Sequence, residues 1–166
     1  MNINNEPRIY VACLAGYNNG IMHGKWIDAN QEASDLENEI SEIMANSPID
    51  NAEEWAIHDY ECFGGIQISE WETMETISKL ASEIEEHGEL FAQVYDYTNN
   101  IQDAKEMIQD RLIGLYDSMM DYAEETTDLS EVPEYLHWYI NFNAIARDME
   151  NNLTVFEVDR QLGIFH

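Results

Sequence analysis

The hydrophobic and polar positions change period along this chain, and the changes mark its elements. Arg8–Leu14 (RIYVACL) is rich in β-branched and apolar residues and predicts a strand. Gly16–Gly20 (GYNNG) supplies turn residues, and residues 21–28 predict a second strand that closes a hairpin with Trp26 facing its core. Leu36, Ile40, Ile43 and Met44 then repeat at helical spacing, which predicts a helix capped by Ser34 and running to Ala45. Asn46-Ser47-Pro48 breaks it, and residues 55–60 predict a third strand. Ser69 and Glu72 have the spacing of a capping box, followed by a stripe of Trp71, Met74, Ile77, Ala81 and Ile84 that ends at His87-Gly88. Two shorter helices follow, over 90–97 and around Ile101, Ala104, Lys105 and Ile108, separated by Asn99-Asn100.

The last third alternates the two periods. Residues 111–116 predict a strand, Ser118 opens a helix to Thr126, and Pro133 fits the first turn of another helix. Leu136 and Tyr139 or Ile140 are expected to face inward there. Residues 143–150 continue helically, Asn151-Asn152 turns the chain, and residues 153–159 and 163–165 predict a terminal strand pair. The expected class is α+β, as three small domains in an elongated arrangement. These are an N-terminal antiparallel sheet with a helix (1–64), a helical middle domain (65–110) and a C-terminal sheet with helices (111–166). Gly64-Gly65 marks the first boundary.

Charge changes the picture. The chain carries 34 Asp and Glu against 7 Lys and Arg, a net −27 over 166 residues. From Trp26 to Ser78 there are fourteen carboxylates and no Lys or Arg, yet Trp26, Leu36, Ile40, Ile43, Trp55, Ile57 and Trp71 are distributed among them. Such a segment folds, and its charge is uncompensated. A second interval without Lys or Arg, 112–146, adds seven more acids. Duplex DNA carries one charge per ~1.7 Å, so this charge equals about 46 Å of duplex. A compact chain of this length is about 40 Å across. The field repels nucleic acid and anionic membranes and attracts basic grooves. Solubility or adaptation to high salt would also account for an acidic surface.

Conventional chemistry is not legible. The five histidines show no metal spacing, and His58-Asp59, on a strand, are expected to point to opposite faces. Cys13 and Cys62 form no redox pair, and reduced thiols fit a cytoplasmic protein. No EF-hand loop, phosphate-binding loop or nucleophile elbow is present. Arg111 and Arg147 are expected in internal ion pairs rather than as substrate clamps. No catalytic residue, metal or cofactor is expected; no run of about 18 apolar residues predicts a transmembrane helix, and no secretory signal is expected from the first residues.

Several segments in order do carry a resemblance: Tyr10–Leu14 (YVACL), Tyr17–Gly20 (YNNG), His23–Asp28 (HGKWID), Glu54–Glu61 (EWAIHDYE), Glu85–Leu90 (EEHGEL), Arg111…Gly114…Tyr116-Asp117-Ser118, Ser130–Leu136 (SEVPEYL) and Ala146–Asp148 (ARD). Together they resemble the ArdA antirestriction family over nearly the whole chain. Asn141–Asn143 (NFN) departs from the pattern, which has two carboxylates there.

The resemblance implies a DNA mimic, carried on mobile elements. It would occupy the DNA-binding groove of type I restriction–modification enzymes, in the methyltransferase core, as an elongated homodimer joined through its C-terminal domain. The acidic candidates are Glu32, Asp35, Glu39 and Glu42 on the first helix, Glu70, Glu75, Glu83 and Glu86 on the second, and Asp117, Asp121, Glu124 and Glu125 further on. Val132, Pro133, Tyr135, Leu136, Trp138 and Tyr139 crowd apolar and aromatic groups into one segment, as a dimer contact or as the core of the third domain. An acidic chaperone or adaptor for a basic nucleic-acid-binding protein is the alternative. Neither nucleic acid nor membrane is an expected partner.

Overall fold

The computed structural model describes residues 6–166. The expectation about a secretory signal begins on residues 1–5, outside them. Helices and two small antiparallel sheets make an α+β chain, which divides into two compact units. The first runs to Asp96, and the second is Tyr97–His166.

In the first unit β1 (Arg8–Cys13) lies between β2 (Gly24–Asp28) and β3 (Trp55–Glu61), antiparallel to both. β1 and β2 are joined by a short helix, α1 (Leu14–Asn18), rather than by a tight turn. The Cys13 thiol accepts the Gly16 N–H at 3.4 Å, which begins that helix. Along β1, Ile9, Val11 and Cys13 are buried against α2 (Ala33–Ala45), while Tyr10 belongs to the opposite face. Tyr10 pairs with Trp26, and Ile9 with Ile27. Trp26 is therefore half-buried on the open face, and Ile27 is the core residue of β2. Size misleads here, because strand parity decides which side chain enters the core.

α2 starts one residue earlier than its expected Ser cap. Glu32 occupies the cap position, without a side-chain cap bond, and its carbonyl accepts the N–H groups of Asp35 and Leu36. Leu36, Ile40 and Ile43 are buried, each contributing about 1.5–3 kcal/mol by leaving water. α3 (Met74–His87) is capped by Thr73, whose hydroxyl accepts the Thr76 N–H at 3.2 Å. Ser69–Glu72 is instead a turn, closed by Glu72 N–H to Ser69 C=O at 3.1 Å. Trp71 thus precedes the helix and is exposed, although Met74, Ile77, Ala81 and Ile84 of the same expected stripe are buried. Gly88 ends α3 at φ 60°, and α4 (Glu89–Thr98) follows. Gly64 and Gly65 both have positive φ, and a Cβ on Gly64 would meet Ala92 Cβ at 2.8 Å. That glycine pair is a turn packed against α4.

In the second unit α5 (Ile101–Arg111), capped by Asn100, leads directly into β4 (Leu112–Tyr116). The sheet order is β4-β6-β5, with β5 (Thr154–Val158) and β6 (Gln161–Phe165) as the terminal pair. α6 (Met119–Thr126) and α7 (Phe142–Glu150) cover the sheet through Met119, Ala123 and Ala146 against Ile164. Ser118 caps α6 and Asn141 caps α7. The Asn141 side-chain oxygen accepts the Ala144 N–H at 3.1 Å, so one neutral residue that departs from the family pattern holds a helix start.

Residues 134–139 form a 3-10 helix with no buried residue. Leu136 is 38% exposed and Tyr139 83% exposed, so of the residues expected to turn inward only Ile140 is half-buried. Arg111 donates to the main-chain oxygen of the last residue, His166, and Arg147 to the main-chain carbonyl of Asn143. Among the described residues, no helix is long and apolar enough to cross a membrane.

Candidate functional site

Of the 34 carboxylates, all but three are exposed; Glu39 and Glu72 are half-buried and Glu83 is buried. Asp and Glu side chains are readily hydrated, so the fold displays them while the apolar stripe of each helix faces inward. The seven Lys and Arg can neutralise only a fraction. Arg8 pairs with Glu61 at 3.3 Å, Lys25 with Glu39 at 3.2 Å and Lys79 with Glu75 at 2.6 Å.

On α2, Glu32, Asp35 and Glu42 are exposed at spacings that keep them on the solvent side. Glu39 departs from the expected free row. It accepts a hydrogen bond from Gln31 at 2.8 Å and one from Lys25 on β2. The Gln31 bond and then the Lys25 ammonium hold its carboxyl below the usual range. Glu37, Glu53, Glu54 and Glu72 gather beside Trp55 and Trp71 around an open groove of about 520 Å³. Sequence reading nominated none of those four acids, and their signal is the direct adjacency of Glu53-Glu54 to Trp55 and of Glu72 to Trp71.

Glu70 and Glu86 are exposed, and Glu75 is exposed but tied to Lys79, which lowers its pKa. Glu83 is the correction on this helix. It lies on the inward side of α3, 5% exposed, with its Oε2 3.9 Å from His87 Nε2. It belongs to the interior rather than to the acidic display. Glu83, Glu86 and His87 bring ligand-type atoms within 4.8 Å of one another. In the second unit Asp117 accepts from Gln161 at 3.0 Å, and Asp121 pairs with the Ser118 hydroxyl at the start of α6. Glu124 and Glu125 are exposed on the same helix. Burial, and then the negative charge of Glu125, push the Tyr116 phenol above its ordinary value.

The aromatic segment is exposed in this chain: Tyr135 is 74% and Trp138 93% accessible. Pro133 is exposed and Val132 half-buried, and the Val132 carbonyl contacts His137 Nε2 at 2.9 Å. That bond holds the 3-10 turn and leaves its rings outward. Elsewhere, a shift in strand register between Tyr10 and Val11 makes His58 an extra residue in β3. His58 and Asp59 therefore line one cavity, contrary to the alternation expected of a regular strand.

The described residues offer carboxylates at many fixed positions. A comparison with protein-family models matches the antirestriction protein (ArdA) model over residues 9–162. The chain belongs to the ArdA antirestriction family. The match covers every segment that carries the resemblance, from Tyr10–Leu14 to Ala146–Asp148. No curated protein sequence matches the chain significantly. ArdA membership implies an antirestriction function and an interaction with restriction–modification enzymes.

Proposed function

We propose that this ArdA protein is a DNA mimic that occupies the DNA-binding groove of type I restriction–modification enzymes and inhibits restriction and modification. The observation that carries the reading is that 31 of 34 carboxylates are exposed with only seven Lys and Arg to offset them. A groove that neutralises phosphates with Lys and Arg accepts carboxylates held by folded helices. The exposed acids on α2, α3 and α6 stand in for phosphates. No base edges are offered, so inhibition is blind to the enzyme's target sequence.

The working unit in this reading is a cytoplasmic homodimer, joined through Val132, Pro133, Tyr135, Leu136, Trp138 and Tyr139. The exposure of Tyr135, Trp138 and Tyr139 supports it, because large aromatic side chains clustered at a surface are typical of interface cores. Doubling −27 gives −54, equal to about 90 Å of duplex.

The test is competition. A purified type I methyltransferase is bound to a labelled duplex and the protein is added at low and at raised salt. Displacement that weakens with salt and ignores the target sequence is expected. No displacement at low salt would sink the proposal. Binding to histone-like or ribosomal proteins without displacement would move the reading to an acidic chaperone or adaptor.

A further inference from the structure

We propose that the open face of the N-terminal sheet carries a receptor pocket for a single arginine side chain of the basic protein that this chain engages. The proposal rests on the inhibitor reading for its partner and on the pocket alone for its chemistry.

The pocket follows from strand register. Tyr10 on β1 faces Trp26 on β2 and Asp59 on β3, so the three form one row across the sheet. Their face is the one α2 leaves uncovered, since Ile9, Val11 and Ile27 fill the other. Gly24 lets the Tyr10 ring lie close to the strand, where a Cβ would stand 2.8 Å from the ring. The irregularity in β3 adds His58 to this side, and α1 places Tyr17 edge-on to it at 4.9 Å between ring centroids. Ile21 and Met22, both exposed, complete the rim. The half-open space is about 410 Å³, lined by the rings of Tyr10, Tyr17 and Trp26, the imidazoles of His23 and His58, and one carboxylate, with no Lys or Arg in the lining.

That lining selects its occupant. The faces of Tyr and Trp rings are negative and attract cations, best where water is partly excluded. An anion is repelled by Asp59 and by a chain of net charge −27. A neutral apolar ligand would desolvate Asp59 without pairing it. A guanidinium meets both demands, being planar, weakly hydrated and able to stack while donating hydrogen bonds to a carboxylate. The Asp59 carboxylate is oriented for this, because its Oδ1 accepts the Tyr60 N–H at 2.8 Å.

From the adjoining row the protein already makes a contact of this kind on the same Trp26 ring. Arg8 faces Glu61 across β1 and β3, donates to it at 3.3 Å, and holds its guanidinium 5.5 Å from the Trp26 ring centre. An arginine entering the pocket repeats that pattern with Tyr10, Trp26 and Asp59. Dispersed surface carboxylates attract Arg and Lys alike, whereas this pocket distinguishes them. It adds a directional anchor to a distributed electrostatic contact.

The experiment uses the full-length protein and small probes. N-acetyl-arginine methylamide, its lysine counterpart and its uncharged citrulline counterpart are titrated at low salt. The indole N–H resonances are followed by NMR, with Trp26→Phe assigning the Trp26 signal. Saturable shifts at Trp26 are expected with arginine, weaker ones with lysine and none with citrulline. Asp59→Asn, an exposed and near-isosteric change, is expected to weaken arginine binding about fivefold. Equal shifts from arginine and citrulline, no saturable shift at Trp26, or an unchanged affinity in Asp59→Asn would each overturn the pocket. DNA displacement is read separately. If displacement persists while arginine fails to bind, the pocket falls alone; if arginine binds while displacement fails, only the groove reading falls.

Discussion

Replacing Glu32, Asp35 and Glu42 together by Gln, Asn and Gln separates displayed charge from structural charge on one helix. All three are exposed on α2, and the fourth acid of the row, Glu39, stays in place on Lys25. If each pairs with a basic group in the partner's groove, an exposed ion pair is worth about 0.2–1 kcal/mol. Three then cost about 0.6–3 kcal/mol, or roughly 3- to 150-fold in affinity. The slope of log K against log salt should fall by at most about 0.9 per charge, so about 2.7 in all.

Stability should hardly move, because two effects oppose each other. The change removes the like-charged pairs Glu32/Asp35, Asp35/Glu39 and Glu39/Glu42, a gain of about 0.2–0.5 kcal/mol each. It also removes two acids from the helix start, a loss of about 0.3–1 kcal/mol each. The assays are DNA displacement from a type I methyltransferase over a range of salt, and urea unfolding of the same preparations. Unchanged affinity and slope in the triple variant would refute a role for the α2 face in mimicry. Parallel losses of affinity and stability would refute the claim that these charges are display rather than structure. A single Glu→Gln at one of these sites should change affinity by less than tenfold.

Tyr135→Ala with Trp138→Ala should shift the protein toward monomer in analytical ultracentrifugation while leaving the melting temperature within a few degrees, since both side chains are largely exposed. A dimer that survives would place the contact elsewhere. Lys25→Met tests the Glu39 pair. The folded-state pKa of Glu39 lies below its ordinary 4.5, so its contribution is complete above that pH and is lost as the pH falls through the folded value. The stability gap between wild type and Lys25→Met, measured by denaturant titration, should be constant from pH 6 to 8 and narrow as the pH falls below 4.5, with the Gln31 bond, the larger cause of the lowered pKa, left in place. Gly24→Ala puts a Cβ 2.5 Å from the Val11 carbonyl oxygen and should cost about 1–3 kcal/mol, read in the same titration.

Much of the element order was legible, because periodicity and caps are local. β3, α4, α5, β4, α6 and the terminal strand pair begin and end within a few residues of where period and turn chemistry place them. Asn100 and Ser118 cap their helices through bonds that span two or three residues, so no distant part of the chain is needed to find them. The failures share a cause. Ser69–Glu72 has the spacing of a capping box, but Thr73 offers the same hydroxyl four residues later and starts the helix that buries Met74. Packing chose between two locally acceptable caps. Helical spacing puts Trp71 in the buried stripe and the hairpin puts Trp26 in its core, whereas the start of α3 and the register of β1 with β2 decide their exposure.

The acidic site divides the same way. Composition and the intervals without Lys or Arg determined that most carboxylates must be uncompensated, because seven cations cannot neutralise 34 acids wherever the chain folds. Resemblance in the order of short segments indicated the antirestriction family. Tertiary structure alone decided which acids are displayed. Glu83 and Glu86 are three residues apart on α3, yet one is buried and the other exposed, because the helix is covered on one side. Glu39 is drawn off its row by a lysine fourteen residues earlier, on another element. His58 and Asp59 share a cavity because the pairing of β1 with β3 slips by one residue. Charge is a sum over residues and survives any fold, while display, pairing and enclosure depend on contacts between residues far apart in the chain.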